Sequence, residues 1–338
     1  MRQSYKVFIL LFFCVLTLIG AIGIGSVSIP FTDILNIFGS KWFSLPLSES
    51  IEPNTVSILW KIRIPRTFMA FLTGSALAVS GTVMQSVLKN PLASSYTLGV
   101  SSGATLGVSL IIVTGINLPF FGMFTLPFVG FLFGLGTVFL AIAFATHIDR
   151  SMSNQTIILV GLVLSLFVNA ILTFITAFSK DRLKQLIFWQ MGSFSGKEWS
   201  HVFIVFPIVV ISIVVLIRYS REMDLMSFGE EQALSVGVEL KKTKYILLGI
   251  TALLTGTAVA FVGIIGFVDL IAPHIVRKLF GPSHRLALPM SALTGGLFLT
   301  MADLISRTIL APSELPVGAV TALIGAPFFA YIYFRKRK

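Results

Sequence analysis

The chain has a single cysteine in 338 residues, only 14 Asp and Glu, and a charged fraction of 12%. One thiol, Cys14, builds no disulfide framework and identifies no redox compartment. Phe12 and Phe13 precede it where lipid attachment needs small residues. The four histidines, His147, His201, His274 and His284, are scattered. No His, Cys, Asp and Glu share a metal-ligand spacing, H-E-x-x-H is absent, and no Ser–His–Asp arrangement follows from spacing. Gly192–Glu198, GSFSGKE, only resembles a phosphate loop. It has three residues between its glycines instead of four, and Glu follows Lys where a hydroxyl should meet magnesium. These absences argue against an enzyme and against nucleotide hydrolysis by this chain.

Apolar residues, by contrast, make up 55%, and the mean hydropathy is +0.93. A membrane helix needs about 20 consecutive apolar residues. The sequence predicts ten, near 7–29, 66–87, 93–114, 119–146, 156–178, 201–218, 245–264, 265–280, 287–309 and 317–334, the eighth short. The expected fold class is therefore an all-α polytopic membrane protein. Arg2 and Lys6 before the first apolar run, with Ala21 and Gly23 after it, also fit a signal peptide. The run is long enough to span, and its removal would break the charge pattern. Most of the 25 Lys and Arg fall on one side if both termini are cytoplasmic, among them Arg150, Arg218, Arg221, Lys241, Lys242, Lys244, Arg277 and Lys278. The net charge of +11 thus reads as topology and not as nucleic-acid binding.

Shifted by 182 residues, the chain resembles itself. TGSALAVSG (Thr73–Gly81) lies over TGTAVAFVG (Thr255–Gly263), and Pro91 falls on Pro273. Gly74, Gly81, Gly256 and Gly263 are expected to let membrane helices pack closely. The two copies are five spans apart and run in opposite senses, as in transporters with inverted repeats. The chain reads as one transmembrane domain, 1–338, with repeat halves 60–178 and 245–334 around a polar cytoplasmic segment, 219–244. Of the ionisable residues inside the spans, Asp303 and Arg307 stand four apart and can pair with each other or serve a pathway. Asp269 has no evident partner. So few intramembrane carboxylates count against one reading, an ion-coupled secondary transporter.

The longest motifs narrow the class further. RIPRTFMAFLTGSALAVSGTVMQSVLKNPLASSYTLGVSSGA (Arg63–Ala104) and the run Gly263–Phe329 resemble the FecCD family. These are permease subunits of ATP-driven importers for ferric siderophores, haem and vitamin B12. FWQMGSFSGKEW (Phe188–Trp199) and the segment around Gly229 fall where that family has its corresponding segments. Asp269, in GFVDLIAPH, departs from the glycine usual there. The resemblance implies a BtuC-like type II ABC importer permease in the bacterial cytoplasmic membrane. It would dimerise with a second copy or a related chain around a central pathway and carry an iron chelate, first of all a ferric siderophore. It would work with two cytoplasmic ABC ATPase subunits, where ATP and magnesium bind, and with an extracytoplasmic solute-binding protein. The permease itself would bind no cofactor.

The resemblance also implies roles for residues. Met223–Glu239 would form one or two short helices against the ATPase, with Glu230 and Glu231 near a helix start. Gly229, Ala233, Ser235 and Gly237 would allow close approach. Loop His147–Thr156 would close the pathway at the cytoplasmic side through Ser151, Ser153 and Asn154. Arg63, Arg66 and Arg307, on the opposite side, would dock the binding protein as rim charges, and Lys180, Arg182 and Lys184 break the charge bias with them. Asn90, Pro91, Pro273 and Pro316 would mark helix breaks and turns.

Overall fold

The computed structural model describes residues 3–25, 29–48, 51–116, 118–178 and 182–335. Arg2, Lys180 and the basic residues 336–338 lie outside them. The helices run α1 (Gln3–Gly23), α2 (Phe31–Phe43), α3 (Pro53–Ser57), α4 (Ile64–Val87), α5 (Val100–Thr114), α6 (Thr125–Ile148), α7 (Asn154–Ala177), α8 (Leu183–Gln190), α9 (Trp199–Arg218), α10 (Ser220–Phe228), α11 (Glu230–Ser235), α12 (Leu240–Val262), α13 (Val268–Phe280), α14 (His284–Thr308) and α15 (Val317–Arg335). Every one of the ten expected spans contains a helix, and among the described residues seven helices are long and apolar enough to cross a membrane. The chain is a multi-pass membrane protein.

Helix α4 is the axis of the fold, buried on nearly all sides and packed most extensively against α14, then α12 and α13. Glycine lets these helices approach. A Cβ built at Gly74 would stand 2.2 Å from the Gly295 carbonyl oxygen, and one at Gly295 would stand 2.3 Å from that of Gly74. One at Gly81 would stand 1.9 Å from the Asp269 carbonyl oxygen. Without a hydrophobic driving force between helices in lipid, such backbone contact is a main source of cohesion. Gly256 is a correction, because its nearest neighbour would be 3.7 Å away, ordinary contact distance. Gly263 serves another purpose. At φ +81° it ends α12, and a Cβ there would meet the Trp189 carbonyl oxygen.

The span expected at 93–114 begins as a helix only at Val100. Asn90 Oδ1 accepts the Leu92 amide at 2.9 Å across Pro91, and Gly99 enters α5 at φ +81°. The stretch between is therefore a series of turns. Nor does the repeat carry this break over unchanged, since Pro91 lies in that loop whereas Pro273 is inside α13. Pro316 precedes α15, and its carbonyl accepts the Ala319 and Val320 amides. With 13 residues, α13 is about 20 Å long, short of the hydrocarbon core of about 30 Å. Its N-terminus is completed by the loop before α5. Asp269 Oδ2 accepts the Ser95 amide and hydroxyl, both at 2.9 Å, and the Ser94 hydroxyl at 2.5 Å. Tyr96 donates to the Ile265 carbonyl at 2.9 Å. Asp269, unexplained in the sequence, thus ties the first turn of α13 to the non-helical loop before α5, and its Oδ1 is buried without a hydrogen-bond partner among the described residues.

Helix α2 was not predicted. Its buried Ile34 and Ile37 meet Ile22, Leu59 and Ile64 in a satellite core beside a π-helical turn, Ile58–Arg63, that leads into α4. Thirteen mixed residues give too short a signal to be read as a span.

Candidate functional site

One end of the bundle collects the segments expected to face the cytoplasm. Lys6 Nζ donates to the Leu279 carbonyl at 2.6 Å, joining the start of α1 to the end of α13. Arg277 donates to Gln85, joining α13 to α4. Within the polar segment 219–244, α10 and α11 lie at this same end, where one or two short helices are expected over Met223–Glu239. Gly229 separates them at φ +154°, a backbone that favours glycine, and a Cβ there would strike Gln232.

The two helices close around their own small core of Met226, Ala233 and Val238. Ala233 is wholly buried in it, which corrects the expectation that its small side chain faces a partner. Glu231, Ser235 and Gly237 are exposed. So are Phe228, Leu234 and Val236, at 79%, 56% and 62% of full accessibility. Sequence reading missed these three exposed apolar side chains of the α10–α11 tip, because in so apolar a chain three more apolar residues carry no signal. Two ties hold the pair. Asp224 of α10 accepts from the His284 amide at 2.9 Å and lies 2.6 Å from its Nδ1. Glu230 of α11 lies 2.9 Å from Lys244 Nζ.

Loop 149–153 closes on Asp149. Its Oδ1 accepts the Ser151 amide at 2.8 Å and hydroxyl at 2.6 Å, and its Oδ2 accepts the Ser153 amide at 3.0 Å and the Thr156 hydroxyl at 3.3 Å. Hydrogen bonds from the Ser151 and Ser153 side chains, then from their amides, hold the Asp149 carboxyl well below the usual carboxylate range. Ser153 caps α7 through the Thr156 amide. The expected gate residues therefore sit on a pre-shaped turn organised by Asp149. Ser151 and Arg150 line one cleft together with Glu230, Glu231 and Leu234, so the fold brings loop 149–153 and α11 side by side.

At the opposite end, Arg63, Arg66 and Arg307 are buried at 4%, 6% and 7% of full accessibility. Arg63 Nη1 donates to the Gly23 carbonyl at 2.7 Å. Arg66 holds Asp303 through Nε at 3.0 Å and Nη2 at 2.8 Å, and Glu314 through Nη1 at 2.6 Å. Arg307 donates to the Ala21 carbonyl, and its Nε is 3.7 Å from Asp303. The expected pairing of Asp303 with Arg307 is therefore secondary to that with Arg66. The exposure that a rim-docking role requires is absent from these three arginines, a correction that depends on tertiary contacts. Arg182 donates to the Ile112 carbonyl at 2.6 Å, a further internal contact.

Comparison with known proteins agrees with this architecture. The FecCD transport family model matches residues 10–335. An uncharacterized ABC transporter permease protein, YvrB, of Bacillus subtilis is 41% identical over all of this chain and 96% of its own length. The hemin transport system permease HmuU of Yersinia pestis is 33% identical over 97% of this chain and 95% of its own. The vitamin B12 import system permease BtuC of Shigella boydii is 34% identical over 89% and 90%. A metal-chelate type ABC transporter solved in an inward-facing conformation superposes with a TM-score of 0.85 at 29% identity, covering 98% of this chain and 99% of the other. The chain belongs to the FecCD transport family and has the BtuC-like fold of its ABC transporter permeases.

Proposed function

We propose that the chain is the membrane-spanning permease subunit of an ATP-driven importer that moves a metal chelate into the cytoplasm, a ferric siderophore first, with haem or cobalamin as related cargoes. The observation that carries this is the cytoplasmic coupling pair α10–α11. It is anchored to the bundle by Asp224 and Glu230 and leaves Phe228, Leu234 and Val236 exposed on a short, otherwise polar segment, where a partner subunit can cover them. That partner is one of two ABC ATPase subunits, which bind ATP and magnesium. Both termini are cytoplasmic, and the end that carries the exposed Glu314 faces a solute-binding protein outside. A second permease, identical or related, completes the pathway. Names of relatives, which include hemin and vitamin B12 permeases, support the cargo class.

The test is reconstitution of the permease with the ATPase and binding protein encoded beside it. Uptake of labelled ferric siderophore, haem or cobalamin into proteoliposomes is expected with internal ATP and without an ion gradient. Uptake that follows a proton or sodium gradient at constant ATP would establish the secondary-transporter alternative instead.

A further inference from the structure

Lys244, near the start of α12, is the largest fully buried charged side chain among the described residues, at 1% of full accessibility. Burying an ammonium is costly unless its donors are used. Here all three are. Nζ donates to the Met152 carbonyl at 2.8 Å, to Asn154 Oδ1 at 3.2 Å, and to the Glu230 carboxylate at 2.9 Å. Three N–H groups meet three acceptors, the full capacity of the group. The acceptors belong to two segments that otherwise lie far apart in sequence. Met152 and Asn154 flank the N-cap of α7 in the gate loop, and Glu230 opens α11 of the coupling pair.

The arrangement is directional. Met152 is fully buried at φ +55°, a conformation unusual for a side chain of its size, and it aims its carbonyl at Lys244. A displacement of α11 would move the Glu230 carboxylate. Lys244 would then have to follow it, leaving the loop, or stay with the loop and lose its counter-ion. Either way the shift reaches Asn154 and the start of α7. Arginine would not serve equally, since its planar fork cannot converge three donors on one point.

We propose that Lys244 is the positioning residue that transmits movement of the coupling helices to the gate loop. The proposal rests on the importer reading above. It differs from a purely structural anchor in one respect. Cutting either side-chain contact should uncouple the two segments while the protein stays folded.

The experiment uses the complete transporter, with its ATPase and binding protein, in nanodiscs. A Cys14→Ala background carries Gln155→Cys, at an exposed position beside Asn154. The rate of maleimide labelling at that position is measured without nucleotide and in the state trapped by ATP, magnesium and vanadate. In this parent the two rates should differ by about fivefold or more, the lower range of ordinary allosteric coupling. Glu230→Gln and Asn154→Ala should each bring the ratio close to one, while the protein stays folded with a lowered unfolding temperature and ATP hydrolysis continues. Lys242→Met, an exposed neighbour, should leave the ratio intact. Lys244→Met should behave as Glu230→Gln does, and Lys244→Arg should fail to restore it. If Glu230→Gln and Asn154→Ala keep the full ratio, the proposal is overturned and the importer reading stands. If the parent itself shows no nucleotide response and binds no ATPase, the importer reading falls and the proposal with it.

Discussion

Arg66 and Asp303, 237 residues apart in sequence, form a buried pair in which Nε and Nη2 of the guanidinium both reach the carboxylate, the closer contact at 2.8 Å. Glu314, partly exposed, takes the remaining side of the fork at 2.6 Å. A charge so placed cannot be removed alone without leaving its partner in an environment of low polarity. Removing one member of a buried pair typically costs about 3–5 kcal/mol. Arg66→Glu, and more mildly Arg66→Ala, should therefore lower the unfolding temperature of the detergent-solubilised permease. Asp303→Asn should be less harmful than Arg66→Ala, because it removes the acid and keeps an acceptor. Normal stability for Arg66→Glu would show that the arginine is free to serve a partner after all.

The helix crossings predict an order among glycine substitutions. Gly81→Ala and Gly74→Ala place a methyl carbon about 2 Å from a carbonyl oxygen of a facing backbone, which has no flexible end to yield. Overpacking of this sort costs typically about 1–3 kcal/mol. Gly256→Ala should be neutral, or slightly stabilising through helix propensity, given the ordinary contacts around it. Thermal unfolding of the three variants checks the order, and equal losses in all three would refute it.

Lys197 lies in the loop before α9, and burial pushes its ammonium down to about 8. An ordinary lysine titrates near about 10.4. Since the folded value is depressed, the fold prefers the neutral amine. Its cost is fully present below pH 8 and is relieved as pH rises toward 10.4. Two consequences follow. Pulse acylation read by mass spectrometry should show the Lys197 amine becoming reactive with a midpoint near pH 8. The gain in stability between pH 8 and 10 should be smaller in Lys197→Gln. A reactivity midpoint near 10 would contradict both.

The coupling tip separates two kinds of substitution. Leu234→Ser with Val236→Ser changes only exposed side chains, so it should leave unfolding unchanged while weakening ATPase association about tenfold or more, as for interface residues costing above 1 kcal/mol. Ala233→Leu should instead disrupt the core it shares with Met226 and Val238, lowering the protease resistance of α10–α11. Co-purification and limited proteolysis distinguish the two. Undiminished ATPase binding by the serine pair would remove the tip from the interface.

What the sequence determined by itself was the class and the layout. Apolar runs of membrane length place a helix in each of ten spans, and Asn90–Pro91 marks the break after α4, although α5 begins only at Val100 and Pro273 lies inside α13. The two short helices around Gly229 were legible because charge and small residues break the apolar pattern there. Long motifs carried the family. Pairing was not legible. Arg66 reads as a rim charge beside a helix start, and only the crossing of α4 with α14 places it on Asp303. Lys244 reads as one more cytoplasmic lysine, and only the packing of α12 against the gate loop and α11 buries it among three acceptors. Ala233, expected to face a partner, is buried, while the nearby aromatic Phe228 is exposed. Periodicity records how apolar a helix is; which face meets which neighbour is a property of tertiary contacts. In a chain this apolar nearly every face looks alike until those contacts are made.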